Sequence, residues 1–297
     1  MDRLYFSRLV ILPAILSLSL MWGCASTQAK MTVNGMKPLM KIMSATTNRN
    51  SDIELVRQAM PAMLIQMDGL IEVCPEDRFL LASASEANLG YAFSFVEDTE
   101  RSQAKKLYRK ARQYALQYLK LNEMFALAID GNNIYELQKA LRTIHKRDVA
   151  ALYFAANSWL SWINMNDSGD PNITSDFKMI ETIMERILVL DETFNYGGVH
   201  ALWGVYYASR PEMFGGRPEL AQYHFQEAFD ISGSRYLLWH YLYARYYAVE
   251  TKDRLLFVDT LNKIISTPED TLPEKAFINA VARHKALELL GHIEDYF

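Results

Sequence analysis

The chain has 297 residues and a formal net charge of −4, with 50% hydrophobic and 12% aromatic residues. That supply of apolar side chains is ample for a large core, while the mildly acidic balance argues against nucleic-acid binding, where basic stripes supply the affinity. Two cysteines cannot build a disulfide framework.

At the N-terminus, Arg3 and Arg8 precede the apolar run "LVILPAILSLSLMW" (9–22). It is shorter than the roughly 18 residues that a membrane-spanning helix needs, and has the length of a signal-peptide core. The run ends in "LMWGCAS", which resembles a bacterial lipobox. Residues 1–23 are therefore read as a lipoprotein signal peptide, and Cys24 as the lipid-bearing first residue of the mature chain. Ala25, rather than Asp, after the cysteine points to the periplasmic face of the outer membrane by the sorting rule for such lipoproteins. Losing residues 1–23, with two Arg and one Asp, takes the net charge from −4 to −5. Cys74, in "LIEVCPED", reads as a small buried thiol at a helix end.

Residues 24–50 read as the lipidated Cys24, a polar tether "ASTQAK" and a short amphipathic segment ending in loop residues. From Ser51 to Phe297 the sequence reads as a single all-helical domain. Ser51-Asp-Ile-Glu54 has the form of a capping box, opening a helix with Leu55, Ala59, Met63, Met67 and Leu70 on one face. The 3.6-residue period predicts further helices at 76–96, 102–121, 134–143, 147–165, 174–190, 196–209, 218–231, 235–249, 253–266 and 273–295. Turn residues separate them, as in "NDSGDPN" (166–172) and "SGSR" (232–235). No strand pattern is present.

Within these helices, fragments of the tetratricopeptide pattern recur. Ala221-x3-Phe225-x2-Ala228 and Ala104-x3-Tyr108-x2-Ala111 fit its second helix, and Trp203-Gly204-x2-Tyr207 fits part of its first. Leu152-x2-Ala155-Ala156-x2-Trp159 and Trp239-x2-Leu242-x3-Tyr246 are looser versions. The regular period of about 34 residues is not kept: Ala156 and Gly204 stand 48 residues apart. The expected fold is all-α, with irregular tetratricopeptide-like stacked helix pairs forming an α-solenoid. A C-terminal capping helix is expected to present Phe277, Ala280, Val281, His284, Leu287 and Leu290 on its inner side. Between two helices lies "SRPEMFGGRPE" (209–219), read as a structural turn. Pro211 stops one helix, Gly215 and Gly216 reverse the chain, and Pro218 takes the first position of the next helix.

The six histidines lie at no i, i+3 or i+4 spacing, so no helical metal pair exists in the sequence. Nucleophile-elbow, zinc-protease, dinucleotide and P-loop motifs are absent. No enzyme activity, metal or cofactor is expected. "AKKLYRKARQYALQYLK" (104–120) reads as a packed helix, with Ala104, Leu107, Tyr108, Ala111, Ala115 and Tyr118 inward and a solvated basic face. The aromatic groups "YAFSF", "SWLSW", "WGVYY" and "YLYARYY" hold more rings than one helical stripe can bury. Some of these rings are candidates to line a small-molecule cleft. Tyr206, Tyr207, Arg210, Arg245 and Tyr246 are the candidate ligand residues, because an arginine can hold a carboxylate bidentately.

The run "MERILVLDETFNYGGVHALWGVYYASRPEMFGGRPELAQYHFQEAFDISG" resembles the T-component family of TRAP (tripartite ATP-independent periplasmic) transporters. So do "LASASEANLGYAFSFVED", "DVAALYFAANSW", "YARYYAVETKDRLLF" and the ending "LGHIEDYF". Arg217 departs from the pattern, where the family more often has a helix-capping residue. The resemblance implies a periplasmic lipoprotein that forms a homotrimer, contains a tunnel or cleft, and binds the transporter's substrate-binding (P) component. It also implies passage of a small hydrophobic or organic-acid ligand. The competing reading is a tetratricopeptide scaffold for protein assembly in the cell envelope.

Overall fold

The computed structural model describes residues 27–165, 173–210 and 212–297. The signal peptide, Cys24, Pro211 and the turn at 166–172 lie outside the described residues. Residues 27–48 form helix α1. It is followed by α2 (Ile53–Val73), α3 (Arg78–Tyr91), α4 (Arg101–Leu119), α5 (Glu123–Asp130), α6 (Ile134–Arg142) and α7 (Val149–Asn164). The second half contains α8 (Ile173–Asp191), α9 (Phe194–Ala208), α10 (Pro218–Ser232), α11 (Leu237–Leu242), α12 (Arg254–Ser266) and α13 (Ala276–Gly291). Among the described residues there is no strand. The architecture is an irregular stack of helix pairs, in which α3 packs on α4, α5 on α6, α7 on α8, α9 on α10 and α12 on α13.

Local chemistry sets the helix ends. Asp77, Asn122, Asn133 and Asp253 each accept hydrogen bonds from backbone N–H groups one turn inside α3, α5, α6 and α12, satisfying donors that have no intrahelical partner. For α2 the cap is Asp52 rather than Ser51: its carboxylate accepts from Leu55 N at 2.9 Å. Glu54 is drawn instead into an ion pair with Arg57, so the expected reciprocal box does not form. Cys74 ends α2 as a free, buried thiol.

The tetratricopeptide-like contacts follow from size. A Cβ on Gly204 would stand 2.7 Å from the Phe225 ring, so the glycine lets α9 and α10 approach, and Phe225 fills the gap. Ala221, Phe225 and Ala228 are completely buried, as are Ala104, Tyr108 and Ala111. The whole inward stripe read for 104–120 is buried.

Some elements differ from the sequence reading. The stretch read as tether and short amphipathic segment is largely one helix, α1. The segment between 122 and 133 contains α5, unforeseen because it is only 8 residues long. In α13 the inward residues include Ala282, Lys285, Ala286 and Leu289, whereas Leu287 is 56% exposed. The ammonium of Lys285, which is among these inward residues, is buried and pairs with Glu97 at 2.9 Å and with Asp98, tying the last helix to the end of α3's extension.

Candidate functional site

Two helices widen into π-helical turns, Ala92–Val96 after α3 and Tyr243–Ala248 after α11. Such turns leave the standard ladder and are frequent at functional sites. Both border a cavity of about 590 Å³ in the helical stack.

Each surrounding helix contributes one stripe to the cavity. From α3 and its π turn come Phe79, Ser83, Glu86, Gly90, Phe93 and Glu97, at alternating spacings of four and three. Helix α7 supplies Tyr153, Asn157, Leu160 and Asn164, while α2 supplies Met60, Met63, Met67 and Leu70. Met36, Met40 and Met43 of α1 face the same space, as do Leu202 and Val205 of α9 and Trp239, Leu242 and Tyr246 of α11 and its extension. The lining is therefore aromatic and methionine-rich. Methionine is unbranched and polarizable, so such walls adapt to ligands of varied shape.

One part of the wall is polar and centres on Tyr153. Asn157 and Asn195 donate to its hydroxyl oxygen at 3.4 and 3.3 Å. Burial outweighs those two bonds, with a smaller push from the negative charge of Glu86, and raises the Tyr153 hydroxyl to about 12, so it stays protonated near neutrality. Tyr236 is raised well above its ordinary value, again chiefly by burial. Glu86 lines the cavity without a hydrogen bond or ion pair to any described residue. Glu86 keeps an exposed surface and lines the cavity. Burial raises its carboxyl, and the charge of Lys275 partly opposes this.

A strained turn places Asn195. Three successive residues, Asn195 (φ 49), Tyr196 (φ 59) and Gly197 (φ 77), are left-handed. Each such non-glycine residue costs on the order of 1–3 kcal/mol and persists only where its surroundings over-determine it. Here they do. The Trp239 indole donates to the Tyr196 carbonyl at 2.8 Å, the Tyr196 ring stacks on Tyr236, and its hydroxyl donates to Glu274 at 3.0 Å. Gly198 completes the arrangement, since a Cβ there would stand 2.8 Å from the Tyr153 ring.

The structure divides the sequence candidates between two places, with Tyr206, Tyr207 and Arg210 in one cluster and Arg245 beside Tyr246 in another. Tyr246 lines the cavity. Arg245, beside it, donates to the Tyr296 hydroxyl at 2.9 Å and lies 3.8 Å from Asp98. Arg210 is buried away from the cavity lining. Its guanidinium stacks 3.7 Å from the centre of the Tyr206 ring and 4.2 Å from that of Phe177, and Nε donates to the Tyr206 carbonyl at 3.0 Å. Tyr207 stacks with Trp203 and His224. The turn after α9 uses Gly215 at φ 89, with Gly215 N donating to Glu212 O at 2.9 Å. Gly216 is buried, and Pro218 opens α10 after Arg217, whose side chain makes no cap.

Sequence reasoning missed Glu86, Tyr153, Asn157 and Asn195. A signal for the first existed: Glu86 is the one carboxylate among small residues in "ASASEANLG". His200 and His224 meet with Nδ1 atoms 3.0 Å apart. Among the described residues no group of three or more His, Cys, Asp or Glu side chains could hold a metal ion, and no helix is long and apolar enough to cross a membrane.

The family model for the TRAP transporter T-component matches residues 49–297 of this chain. A protein of Treponema pallidum (strain Nichols), described as uncharacterized, is 23% identical over 261 residues, covering 83% of this chain and 80% of its own.

Proposed function

Because the chain belongs to the TRAP transporter T-component family, we propose that it is the transporter's periplasmic accessory subunit. In this reading it holds a small, mainly apolar ligand in the helical cavity and exchanges it with the P component. The observation that carries the reading is the cavity. Its volume of about 590 Å³ lies within the range used by small-molecule sites, and apolar walls with a few convergent polar groups are the usual lining. Tyr246, at the π turn, contacts the ligand from one wall, and the Tyr153 group meets its polar end. Cys24 anchors the protein by lipid to the periplasmic face of the outer membrane, with the cavity-bordering α1 only a few residues away. A homotrimer presents three cavities, and three weak docking sites on one anchored body raise occupancy by a neighbouring carrier.

The test is to isolate the full-length protein from its membrane in nanodiscs, weigh it by native mass spectrometry, and titrate it with the cognate P component. The reading expects a trimeric mass, co-purifying small molecules, and saturable binding of the partner. A monomer that carries nothing and binds no P component would favour an envelope scaffold instead.

A further inference from the structure

The polar end of the cavity carries a further consequence, which rests on the proposal that the cavity holds a ligand. Of the two carboxylates that line it, Glu97 is already engaged, accepting from the Lys285 ammonium and from the Tyr108 hydroxyl. Glu86 has no such partner. Its carboxylate faces the cavity without a hydrogen bond or ion pair to a described residue, and only the more distant charge of Lys275 acts on it; an unpaired ion in a low-dielectric space is costly, so this is a group that a donor on a ligand can complete.

The neighbouring lysines do not supply it. Lys275 sits over the Tyr196 ring, 5.7 Å from its centre, and Lys41 over Phe79 at 5.4 Å. Neither comes within ion-pair distance of Glu86. Tyr153 does not replace them, since its hydroxyl makes no hydrogen bond to Glu86. Its oxygen already accepts from two asparagines, which leaves only its O–H to give, and no described acceptor takes it. Lys41 and Lys275 also line the cavity, but their ammoniums lie over the Phe79 and Tyr196 rings, so beside Glu86 the cavity offers one carboxylate as acceptor, the Tyr153 O–H as donor, and the ring faces of Tyr153 and Tyr236.

We propose that Glu86, with Tyr153 beside it, selects an amphiphile with a donor head, a primary ammonium on an aliphatic chain first, and rejects the carboxylate of the same chain. An ammonium brings three donors and a charge of the right sign to Glu86, and aromatic faces add to its attraction. A hydroxyl head donates to Glu86 and accepts from Tyr153 without compensating the charge. A carboxylate head places two like charges side by side, which low dielectric penalises. Methylene chains then lie along the methionine and aromatic stripes. The organic-acid ligand implied by the family resemblance is on this ground the least suited of the three.

The experiment uses the full-length protein in nanodiscs and three water-soluble probes, octylamine, octanol and octanoate. Calorimetric titrations are corrected against empty discs of the same lipid. The expected order is amine, then alcohol, then carboxylate, with the amine at least about tenfold tighter than the carboxylate. Glu86→Gln is nearly isosteric and removes a charge that makes no ion pair, so it should fold, as a thermal melt will verify. It should collapse the amine-to-carboxylate ratio to within about twofold while leaving octanol binding. Glu86→Ala, which enlarges the cavity rather than crowding it, should give the same collapse. Equal or tighter binding of octanoate, or an unchanged ratio in both variants, overturns the head-group assignment and leaves the cavity reading standing. No binding of any probe to the wild type overturns both.

Discussion

Gly90 gives a direct way to fill the cavity without damaging its walls. It lies near the end of α3 and lines the cavity, and a Cβ built on it meets nothing within 4 Å. Replacing it with phenylalanine has two favourable consequences for the fold. A glycine inside a helix is disfavoured by about 0.8–1.0 kcal/mol relative to alanine and an aromatic residue by roughly 0.5 kcal/mol, so about half of the penalty is recovered. Burying the ring against methionine and leucine adds about 1.5–3 kcal/mol when it replaces exposure to water. An apolar space on the order of 150 Å³ is known to house a benzene ring, about a quarter of the 590 Å³ present. The ring therefore fits, and it occupies the channel between Glu86 and Phe93 of the same stripe. Gly90→Phe should raise the melting temperature by several degrees, at about 2–4 °C per kcal/mol for a domain of this size. It should also weaken octylamine and octanol binding at least tenfold. Differential scanning calorimetry and the nanodisc titration measure the two effects on one sample. A destabilised variant, or a stable one that binds the probes as the wild type does, would refute the assignment of this space as the ligand site.

Gly204→Ala should lower stability by about 1–3 kcal/mol, the usual cost of overpacking, because its methyl would meet the Phe225 ring at 2.7 Å. A chemical-denaturation midpoint equal to that of the wild type would show that the two helices part freely. Lys285→Met removes the one ammonium that compensates Glu97 and Asp98, and breaking a buried pair costs about 3–5 kcal/mol. Adding Glu97→Gln should restore part of the loss, and a single variant that melts within about 2 °C of the wild type would contradict the role given to that ion cluster. Acid should destabilise the protein through its buried imidazoles. His224 and His240 are lowered to about 4, first by burial and then by the positive charge of His200 or Lys263 respectively, and His200 is lowered by burial. The unfolded chain takes up these protons near 6.5 while the folded chain resists until about 4, so this stability is complete above 6.5 and declines as pH falls from 6.5 to 4. Melting temperatures across that window should fall more steeply in the wild type than in His224→Phe, and parallel curves would remove His224 from the explanation.

Much of the helical stack was legible because it follows from local rules. Helix α10 is marked by Pro218 at its start and Gly233 beyond its end, and the predicted 218–231 lies within the observed Pro218–Ser232. The α4 stripe could be read because its small and aromatic residues recur at helical spacing over 19 residues. What escaped depends on contacts between distant segments. The left-handed run at Asn195–Gly197 falls beside a good helical pattern, and it exists because Trp239, Tyr236 and Glu274, over 35 residues away, hold it there. The two π turns likewise carry ordinary helical periodicity. The rings themselves were visible, but not which of them face a cavity. Tyr206 and Arg210 resemble a ligand-binding pair in sequence, yet in the fold the guanidinium lies on the Tyr206 ring and its Nε donates to the Tyr206 carbonyl. Which charge on α3 lines the cavity depends on α1, α2, α7 and α11, which border the space that Glu86 faces.

The central claim is that the cavity exchanges its ligand with the P component, and one kinetic measurement tests it most directly. The full-length protein in nanodiscs is loaded with a fluorescent aliphatic amine, and release of the probe is followed by stopped flow while purified P component is added at increasing concentration. If the cavity exchanges its ligand with the P component, the release rate rises with P component and saturates, the probe appears on the partner, and Gly90→Phe takes up no probe. A release rate that stays constant at every concentration of P component, with the probe reaching the partner only through free solution, would contradict it.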